Sequence, residues 1–176
     1  MKIMIAGETK KTVSDYSLLP EGALFELIEG TFVQESSPEY LHQDILGTLF
    51  TQMRIYTEEM ALGKVIVSPM DLYLDEENVF QPDILFVAEK NFHKIQKDGI
   101  HGAPDLVIEI LSPSNSKQDF TTKLHIYERY GVTEYYIVDP DTKEVIAYSF
   151  VDNVYRENYR HMGELTSKIL QHQFKF

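Results

Sequence analysis

The sequence predicts an α/β fold in which helices flank a mixed β-sheet. Short apolar runs with strand periodicity alternate with two longer segments in which apolar residues recur at helical spacing. A strand, helix, strand succession in the second half is followed directly by a hairpin pattern, so parallel and antiparallel neighbours should meet in one sheet. The 176 residues are 43% hydrophobic and contain no repeat or linker, which favours a single domain over residues 1–176.

The first half of the chain should supply a hairpin, the longest helix and two strands. After a short capped helix that begins near residues 12–15, residues 25–35 alternate around Glu29-Gly30 and predict an N-terminal β-hairpin. Apolar residues then recur at helical spacing from Glu39 to about Met60, so this helix should lie on the sheet. The rest of this half is assigned to a strand or bent strand, a polar turn and a second strand, at residues 64–74, 75–78 and 81–87 respectively.

The second half should contain a buried strand, a helix and further hairpins. Residues 102–114 predict the buried strand, because a near-continuous apolar run is entered through Pro104 and closed by a Ser-Pro-Ser turn. Residues 114–116 offer N-caps for a helix over residues 117–130, and Gly131 suits its C-terminal end. The remaining strands are predicted as a hairpin of residues 134–139 and 144–151, then shorter strands near residue 154 and within residues 165–176.

Glu109 is the one charged residue within the apolar run of the predicted buried strand. A carboxylate among aliphatic neighbours loses hydration unless it is paired or bound to a metal. Asp83, directly after Pro82, opens the preceding predicted strand, and adjacent strands could bring the two acids together. Paired Asp and Glu oxygens suit Mg²⁺, and Lys123 on the following helix could point back at the strand end. Taken alone, a strand Glu is more often an edge or ion-paired residue than a metal ligand.

Charge limits the classes of partner. The net charge of −12 argues against a non-specific nucleic-acid coat. Residues 1–88 carry 5 Lys and Arg against 15 Asp and Glu, whereas residues 89–176 carry 11 against 13, so a polyanion site should draw on the second half. The basic segment from Lys90 to His101 is either a solvated loop or a contact to backbone phosphates.

The expected cellular location rests on three features that the sequence does not show. There is no cysteine, which excludes disulfides and thiolate metal sites. The apolar stretch before Glu8 is too short for a secretory signal, and no later run is long enough to predict a membrane span. We therefore expect a cytoplasmic protein with no membrane partner.

Several segments together resemble one known family. They are Phe25-Glu-Leu-Ile-Glu-Gly30 with the downstream His42, Gln81-Pro-Asp83, Gly102-Ala-Pro-Asp-Leu-Val-Ile-Glu-Ile-Leu-Ser-Pro-Ser114, Asp119 to Lys123, and Tyr127-Glu-Arg-Tyr-Gly-Val-Thr-Glu-Tyr-Tyr-Ile-Val-Asp-Pro140. Over roughly residues 15–150 this pattern resembles the Uma-two family of putative restriction endonucleases, within the PD-(D/E)XK nuclease superfamily. The resemblance implies a restriction-endonuclease-like fold: a mixed central sheet, flanking helices, the N-terminal hairpin and a metal-dependent site.

The same resemblance implies roles for particular residues. Asp83 matches the superfamily's strand aspartate and Glu109 its second acidic metal ligand. Leu111 stands where the superfamily has lysine, two residues after the acid, and in this family the lysine is displaced to the following helix, which here means Lys123. Glu29 and His42 would be supporting members of the site.

Simpler structural roles are open for each of these residues and their neighbours. Glu29 suits the turn of a hairpin, and His42 could sit exposed on the first turn of its helix. Lys123 lies four residues after Asp119, the spacing of an ordinary helical ion pair. Five further residues are favoured as structural rather than chemical, with Asp105 capping its strand, Ser112 and Ser114 in a turn or cap, and Tyr135 and Tyr136 in the core and on the sheet surface.

These patterns predict an endonuclease that hydrolyses DNA phosphodiester bonds with Mg²⁺ or Mn²⁺. Asp83 and Glu109 would hold the metal, and Lys123 would assist the attacking water or the transition state. A homodimer is plausible, because duplex cleavage needs two strand cuts. The alternative is an inactive nuclease-like module that binds nucleic acid or protein, and a weaker one is hydrolysis of a small phosphate compound.

Overall fold

The computed structural model describes residues 9–20, 22–35, 37–112 and 117–176, with the backbone alone for residues 117–120. Its helices are α1 (Val13–Tyr16), α2 (Tyr40–Glu59) and α3 (Lys117–Tyr130). The strands are β1 (Phe25–Ile28), β2 (Thr31–Gln34), β3 (Gly63–Val67), β4 (Leu72–Asp75), β5 (Asn78–Phe80), β6 (Ile84–Ala88), β7 (Ile100–His101), β8 (Leu106–Ile110), β9 (Glu134–Val138), β10 (Glu144–Val151), β11 (Val154–Met162), β12 (Glu164–Ser167) and β13 (His172–Lys175). The predicted N-caps at residues 114–116 lie outside the described residues.

The predicted mixed sheet is confirmed. It has six strands in the order β11-β10-β9-β8-β6-β3. β8 and β9 are parallel, and α3 makes the crossover between them, whereas β6 pairs antiparallel with both β3 and β8. The carboxyl end of β8 therefore lies beside the amino end of β6 at one edge of the sheet.

The predicted N-terminal hairpin, β1 with β2, is also confirmed, but it belongs to a second sheet of five strands in the order β2-β1-β5-β4-β7. The prediction of one strand over residues 64–74 is wrong. β3 lies in the six-stranded sheet and β4 in the five-stranded sheet, and the chain passes from one to the other through Ser68-Pro69. A proline has no N–H to donate to a ladder, so the strand cannot continue through Pro69 unbroken.

Side chains of β8 alternate between two apolar layers. Ile108 and its alternate neighbours pack against α2 and the C-terminal hairpin β12–β13. Val107 faces the other way, toward α3 and the five-stranded sheet. Glu109 has the same strand parity as Val107 and is 3% exposed, so a carboxylate enters the layer between the sheet and α3.

The two long helices cover opposite faces of the six-stranded sheet. α2 buries Ile45, Leu49 and Met53 along one stripe, as its helical periodicity predicts. α3 buries Ile126 and Tyr127 on the other face, and it ends at Gly131, whose φ of 74° suits glycine. None of the described helices is both long and apolar enough to cross a membrane.

Candidate active site

The register of the sheet brings Asp83 and Glu109 together. Ile84 pairs with Ile108 across the antiparallel β6–β8 ladder, so one further step places Asp83 opposite Glu109. The Ile110 N–H donates a hydrogen bond of 2.7 Å to Oδ2 of Asp83 and fixes that carboxylate against β8. The prediction that adjacent strands unite these two acids is confirmed.

Lys123 reaches the same point from α3. Its Nζ lies 3.2 Å from Oε1 of Glu109 and 2.9 Å from Oε1 of Glu26, and the residue is 4% exposed. The helix thus returns a lysine to the end of β8, although Leu111 occupies the usual strand position. The alternative ion pair with Asp119 involves a side chain outside the described residues.

Glu26 is a site residue that the sequence analysis missed. It lies on β1 and is 1% exposed, and its Oε1 accepts both Lys123 and the Gln81 N–H, the latter at 2.9 Å. Its Oε2 is buried and has no hydrogen-bond partner among the described residues. The available signal was the one that marked Glu109, a carboxylate flanked by apolar strand residues in Phe25-Glu-Leu-Ile28.

Glu35 is the second missed acid. It follows β2, two residues beyond Val33, the partner of Glu26 across the hairpin, so both acids lie on the same face. The pKa of the Glu35 carboxyl is raised to about 7, mainly by burial and then by the negative charge of Glu26. A protonated Glu35 is therefore favoured here in the absence of an added cation.

Burial shifts the pKa values of Glu109 and Lys123 in opposite directions. The pKa of Glu109 is raised to about 8, mainly by burial; the charge of Lys123 opposes this shift, and the charges of Glu26 and Asp83 add to it. Burial alone would lower the pKa of Lys123, but the carboxylates of Glu109, Glu26 and Glu35 outweigh it and raise that pKa above its usual value. Lys123 therefore stays cationic at neutral pH, whereas Glu109 gives up its proton only at a higher pH than an ordinary carboxyl group.

His42 completes the contacts of Asp83. It lies on the first turn of α2, and its Nε2 is 3.2 Å from Oδ2 of Asp83. The side chain is buried rather than exposed, and Nδ1 has no partner among the described residues. The structure thus excludes the reading of His42 as an exposed surface residue.

These groups line one cavity of about 360 Å³, called here the first cavity. Its chemically active lining consists of Glu26, Glu35, His42, Asp83, Glu109 and Lys123. Within the described part of the chain, no three His, Asp or Glu side chains lie close enough to hold a metal ion as they stand. The donor set nevertheless fits a hard cation, because four carboxylates face a single lysine and Oε2 of Glu26 is buried without a donor.

Glu29 does not join this site. It is exposed in the turn between β1 and β2, with φ of 50°, and it is not part of the lining of the first cavity. The left-handed turn carries its side chain away from the face on which Glu26, three residues earlier, is buried. The placement of Glu29 in the site was wrong, and Glu26 is the acid that the hairpin supplies.

Asp105 has the structural role that was favoured. Its carboxylate accepts the Ala88 N–H at 2.8 Å and the Asn91 side-chain amide at 2.9 Å, which ties the end of β6 to the 3₁₀ helix Glu89–Lys94. Tyr135 and Tyr136 are buried in the core, 0% and 2% exposed.

The basic segment lies away from the first cavity. The 3₁₀ helix Glu89–Lys94 follows the carboxyl end of β6, whereas Asp83 precedes its amino end. Lys94 donates to the carbonyl of Ala103 at 2.6 Å. The segment is therefore not positioned to hold a phosphate beside Glu109. Ser112 lines the first cavity, and Ser114 lies outside the described residues.

A mixed sheet with two acids opposed at adjacent strand ends and a buried lysine beside them defines a protein of the restriction-endonuclease-like fold. The family model described as "Uma2: Putative restriction endonuclease" matches residues 13–174, and the chain belongs to this Uma2 family. A crystal structure of a putative nuclease belonging to DUF820, from Anabaena variabilis, superposes with a TM-score of 0.70 over 85% of this chain and 82% of that one, at 21% identity. This likeness shows the fold. No curated protein matches the chain.

Proposed function

We propose that this protein is a nuclease that hydrolyses DNA phosphodiester bonds with the help of Mg²⁺ or Mn²⁺. The observation that carries the proposal is the buried Lys123 between Glu109 and Glu26, at the point where Asp83 meets Glu109 across the ladder. The description of the Uma2 family and the nuclease named in the similar crystal structure support the same activity.

Asp83 and Glu109 would hold the metal, and Glu26 is a further candidate ligand. Both contacts to Asp83 use Oδ2, and both contacts to Glu109 use Oε1. These contacts use one oxygen of each carboxylate, so the other oxygen is available as a ligand. A divalent cation bound there would polarise the scissile phosphate and favour deprotonation of the attacking water.

Lys123 would act through its charge rather than as a base. Because the neighbouring carboxylates raise its pKa, the ammonium group has no lone pair to accept a proton at neutral pH. A fixed cation on the cavity wall suits stabilisation of the charge that develops on the phosphate oxygens in the transition state. It would also orient an attacking water by donating a hydrogen bond.

His42 and Tyr127 would position the two acids. His42 contacts Asp83 from α2, and the Tyr127 hydroxyl donates a hydrogen bond of 2.8 Å to Oε1 of Glu109. Each contact fixes one oxygen of its carboxylate, which leaves the other oxygen directed elsewhere. Ligands that are held in this way lose little rotamer freedom when a cation binds.

The acidic lining itself favours metal dependence. Four carboxyl groups surround one lysine, so without an added cation the cavity either carries excess negative charge, which repels a phosphodiester, or takes up protons at Glu35 and Glu109, which removes their charge. A bound divalent cation would reverse this balance locally. DNA cleavage should therefore require millimolar Mg²⁺ or Mn²⁺ rather than only being accelerated by it.

Plasmid nicking with Mn²⁺ tests the proposal. The Glu109→Gln substitution keeps the side-chain shape but removes the charge, and it should lower the cleavage rate at least about 100-fold. Glu157→Gln is a matched control, since Glu157 is surface-exposed on β11 and pairs with Arg160. The proposal fails if the wild-type protein cuts no DNA or RNA substrate and binds no divalent cation in calorimetry.

A nuclease-like module without catalysis is the second candidate. It is favoured by the observation that Lys123 already pairs with Glu109 and Glu26 and that the described residues offer no preassembled set of three metal ligands. Such a module would bind nucleic acid with an affinity that falls steeply with salt and does not change in Asp83→Ala.

The cytoplasmic location, the homodimer and the single-domain organisation also stay predictions.

A further inference from the structure

A second cavity of about 240 Å³ lies next to the first one. The two cavities share three lining residues, Leu24, Pro69 and Gln81. The second cavity adds Tyr16 and Asp71, which the first lacks. A molecule that binds at the carboxylates of the first cavity could therefore extend into the second cavity.

Part of the lining of the second cavity is apolar and includes two rings. The Tyr16 ring, the Pro69 ring and the Leu24 side chain line it, and Leu24 is 43% exposed although it is a large apolar residue. Tyr16 is held in place by an edge-on contact with Tyr73, whose ring centroid is 6.4 Å away. Surfaces of this kind pack against planar rings.

The polar part of the lining is centred on Asp71, beside the Tyr16 hydroxyl. Its Oδ1 accepts the Tyr16 hydroxyl at 2.9 Å and the Gln81 side-chain amide at 2.9 Å, and its Oδ2 accepts the Tyr73 hydroxyl at 3.2 Å. A carboxylate offers about four lone-pair positions, so three donors leave it with capacity for one more. The network fixes an acceptor at the edge of the apolar wall.

Gln81 links this edge to the candidate active site. Its side-chain amide donates to Asp71 in the second cavity, while its backbone N–H donates to Oε1 of Glu26 in the first. A group that binds to Asp71 is therefore connected to the acidic cluster through Gln81 alone. This linkage makes the second cavity a neighbouring subsite rather than an independent pocket.

The charge of the lining selects the kind of group that fits. No lysine or arginine lines the second cavity among the described residues, and Asp71 is its charged member. The carboxylate would repel a phosphate. A nucleobase suits both the apolar and the polar part of the lining, because its ring can pack on Tyr16 and Pro69 and its amino group can donate to a carboxylate. Enzymes that bind an unstacked base use such a combination of ring packing and edge hydrogen bonds.

We propose that the second cavity binds an unstacked nucleobase next to the scissile phosphate and prefers a base with an exocyclic amine. This inference rests on the proposed nuclease function and deepens it by naming a feature of the substrate. Because a base must leave the stack to enter, single-stranded DNA should be a better substrate than duplex DNA. Cleavage should also favour cytosine over uracil or thymine at one position beside the cut.

Binding of nucleosides tests the subsite without relying on cleavage. Saturation-transfer NMR would compare 2′-deoxycytidine with 2′-deoxyuridine, which have the same ring size. Cytosine presents an exocyclic amine at C4, whereas the N3–H donor of uracil lies between two carbonyl oxygens that a carboxylate repels. We expect deoxycytidine to bind about tenfold more tightly, as for one hydrogen bond to a charged group. Asp71→Asn should remove this preference, whereas the matched control Asp98→Asn, at an exposed carboxylate outside the cavity, should keep it.

A second variant keeps the test decisive if Asp71→Asn does not fold. Ala23→Phe places a ring in the cavity from a loop residue that lines it, and it should abolish nucleoside binding while metal binding persists. Equal binding of both nucleosides, or binding that survives Ala23→Phe, would overturn the subsite. DNA cleavage without nucleoside preference would overturn the subsite alone, and nucleoside preference without any cleavage would overturn the nuclease proposal alone.

Discussion

Two buried glutamates on neighbouring parallel strands show how differently this fold treats a carboxylate. Glu134, at the start of β9, is 2% exposed and accepts four neutral donors: the Tyr136 and Ser167 hydroxyls at 2.8 and 2.6 Å and the N–H groups of Lys168 and Ile169 at 2.8 and 3.1 Å. Glu109, toward the end of β8, is similarly buried, and its donors among the described residues are Lys123 and Tyr127, both on one oxygen.

The surroundings of the two residues explain the difference. Both oxygens of Glu134 are occupied, and its partners join the sheet to the C-terminal hairpin β12–β13. Glu109 instead shares one lysine with Glu26 and stands opposite Asp83, so the neighbouring carboxylates oppose its ionisation. A carboxylate that is satisfied by neutral donors stabilises the fold, whereas an unsatisfied acidic cluster is suited to an added cation.

Among the substitutions, the largest effect on stability should come from removing Lys123, the one buried cation among the described residues. Lys123→Met leaves Glu26 and Glu109 buried without a counter-charge, and it should lower the free energy of unfolding by about 3–5 kcal/mol at pH 8, where urea denaturation would measure it. Lys64→Met is the matched control, because Lys64 is exposed and lies 4.0 Å from Glu58. It should change stability by less than about 1 kcal/mol. Equal effects of the two substitutions would contradict a buried charge cluster.

Glu134→Ala should lower stability but leave the activity of the folded molecules unchanged. Four buried donors lose their acceptor, so the free energy of unfolding should fall by about 3 kcal/mol or more in urea denaturation. The DNA cleavage rate of the molecules that remain folded should be unchanged, since Glu134 does not line the first cavity. A folded Glu134→Ala protein that has lost cleavage would remove the distinction between the two glutamates.

Tyr127→Phe should have a smaller effect, confined to the active-site side. It deletes the hydroxyl that donates to Glu109, at a cost of about 1 kcal/mol of stability. That hydrogen bond lowers the pKa of Glu109, so its loss should raise the pKa further and shift the rising limb of the cleavage pH profile to higher pH. An unshifted profile with the same loss of stability would assign Tyr127 a purely structural role.

The pH dependence of stability should carry the sign that the raised pKa values of the acidic cluster predict. The pKa values of Glu35 and Glu109 are about 7 and about 8 in the folded protein against 4.5 when unperturbed. The folded state therefore binds more protons than the unfolded state in this window, and the stability contributed by these groups, full below pH 4.5, is lost as the pH rises to about 8. The melting temperature of the metal-free wild type should fall over pH 5–8.5 relative to Glu109→Gln. A difference that stays constant or grows with pH would refute the raised pKa values.

Much of the fold follows from local patterns. The helical stripe of α2, the buried β8 and the crossover α3 are visible in the sequence because each has a clear period and a terminating residue such as Gly131. The division of residues 64–74 between two sheets was not predicted. It depends on which neighbours pair with β3 and β4, and no local periodicity reports that choice.

The candidate site was predicted in part. Asp83 and Glu109 lie on strands adjacent in the sheet, and the family resemblance indicated Lys123 and His42. Glu26 and Glu35 were missed because the hairpin reaches the cluster through tertiary contacts, including the single aligned pair Leu27 and Val79 between β1 and β5. Alternation along β1 alone does not reveal that Glu26 faces Lys123.

A calorimetric titration with Mn²⁺ tests the central claim, that the acidic cluster is a cation site while Glu134 is not. The wild-type protein should bind Mn²⁺ and release protons at pH 7, since carboxyl groups with raised pKa values must ionise to bind a metal. Binding should disappear in Asp83→Asn and in Glu109→Gln, and a folded Glu134→Gln protein should retain it. Absence of binding to the wild type, or equal binding to all four proteins, would contradict the claim.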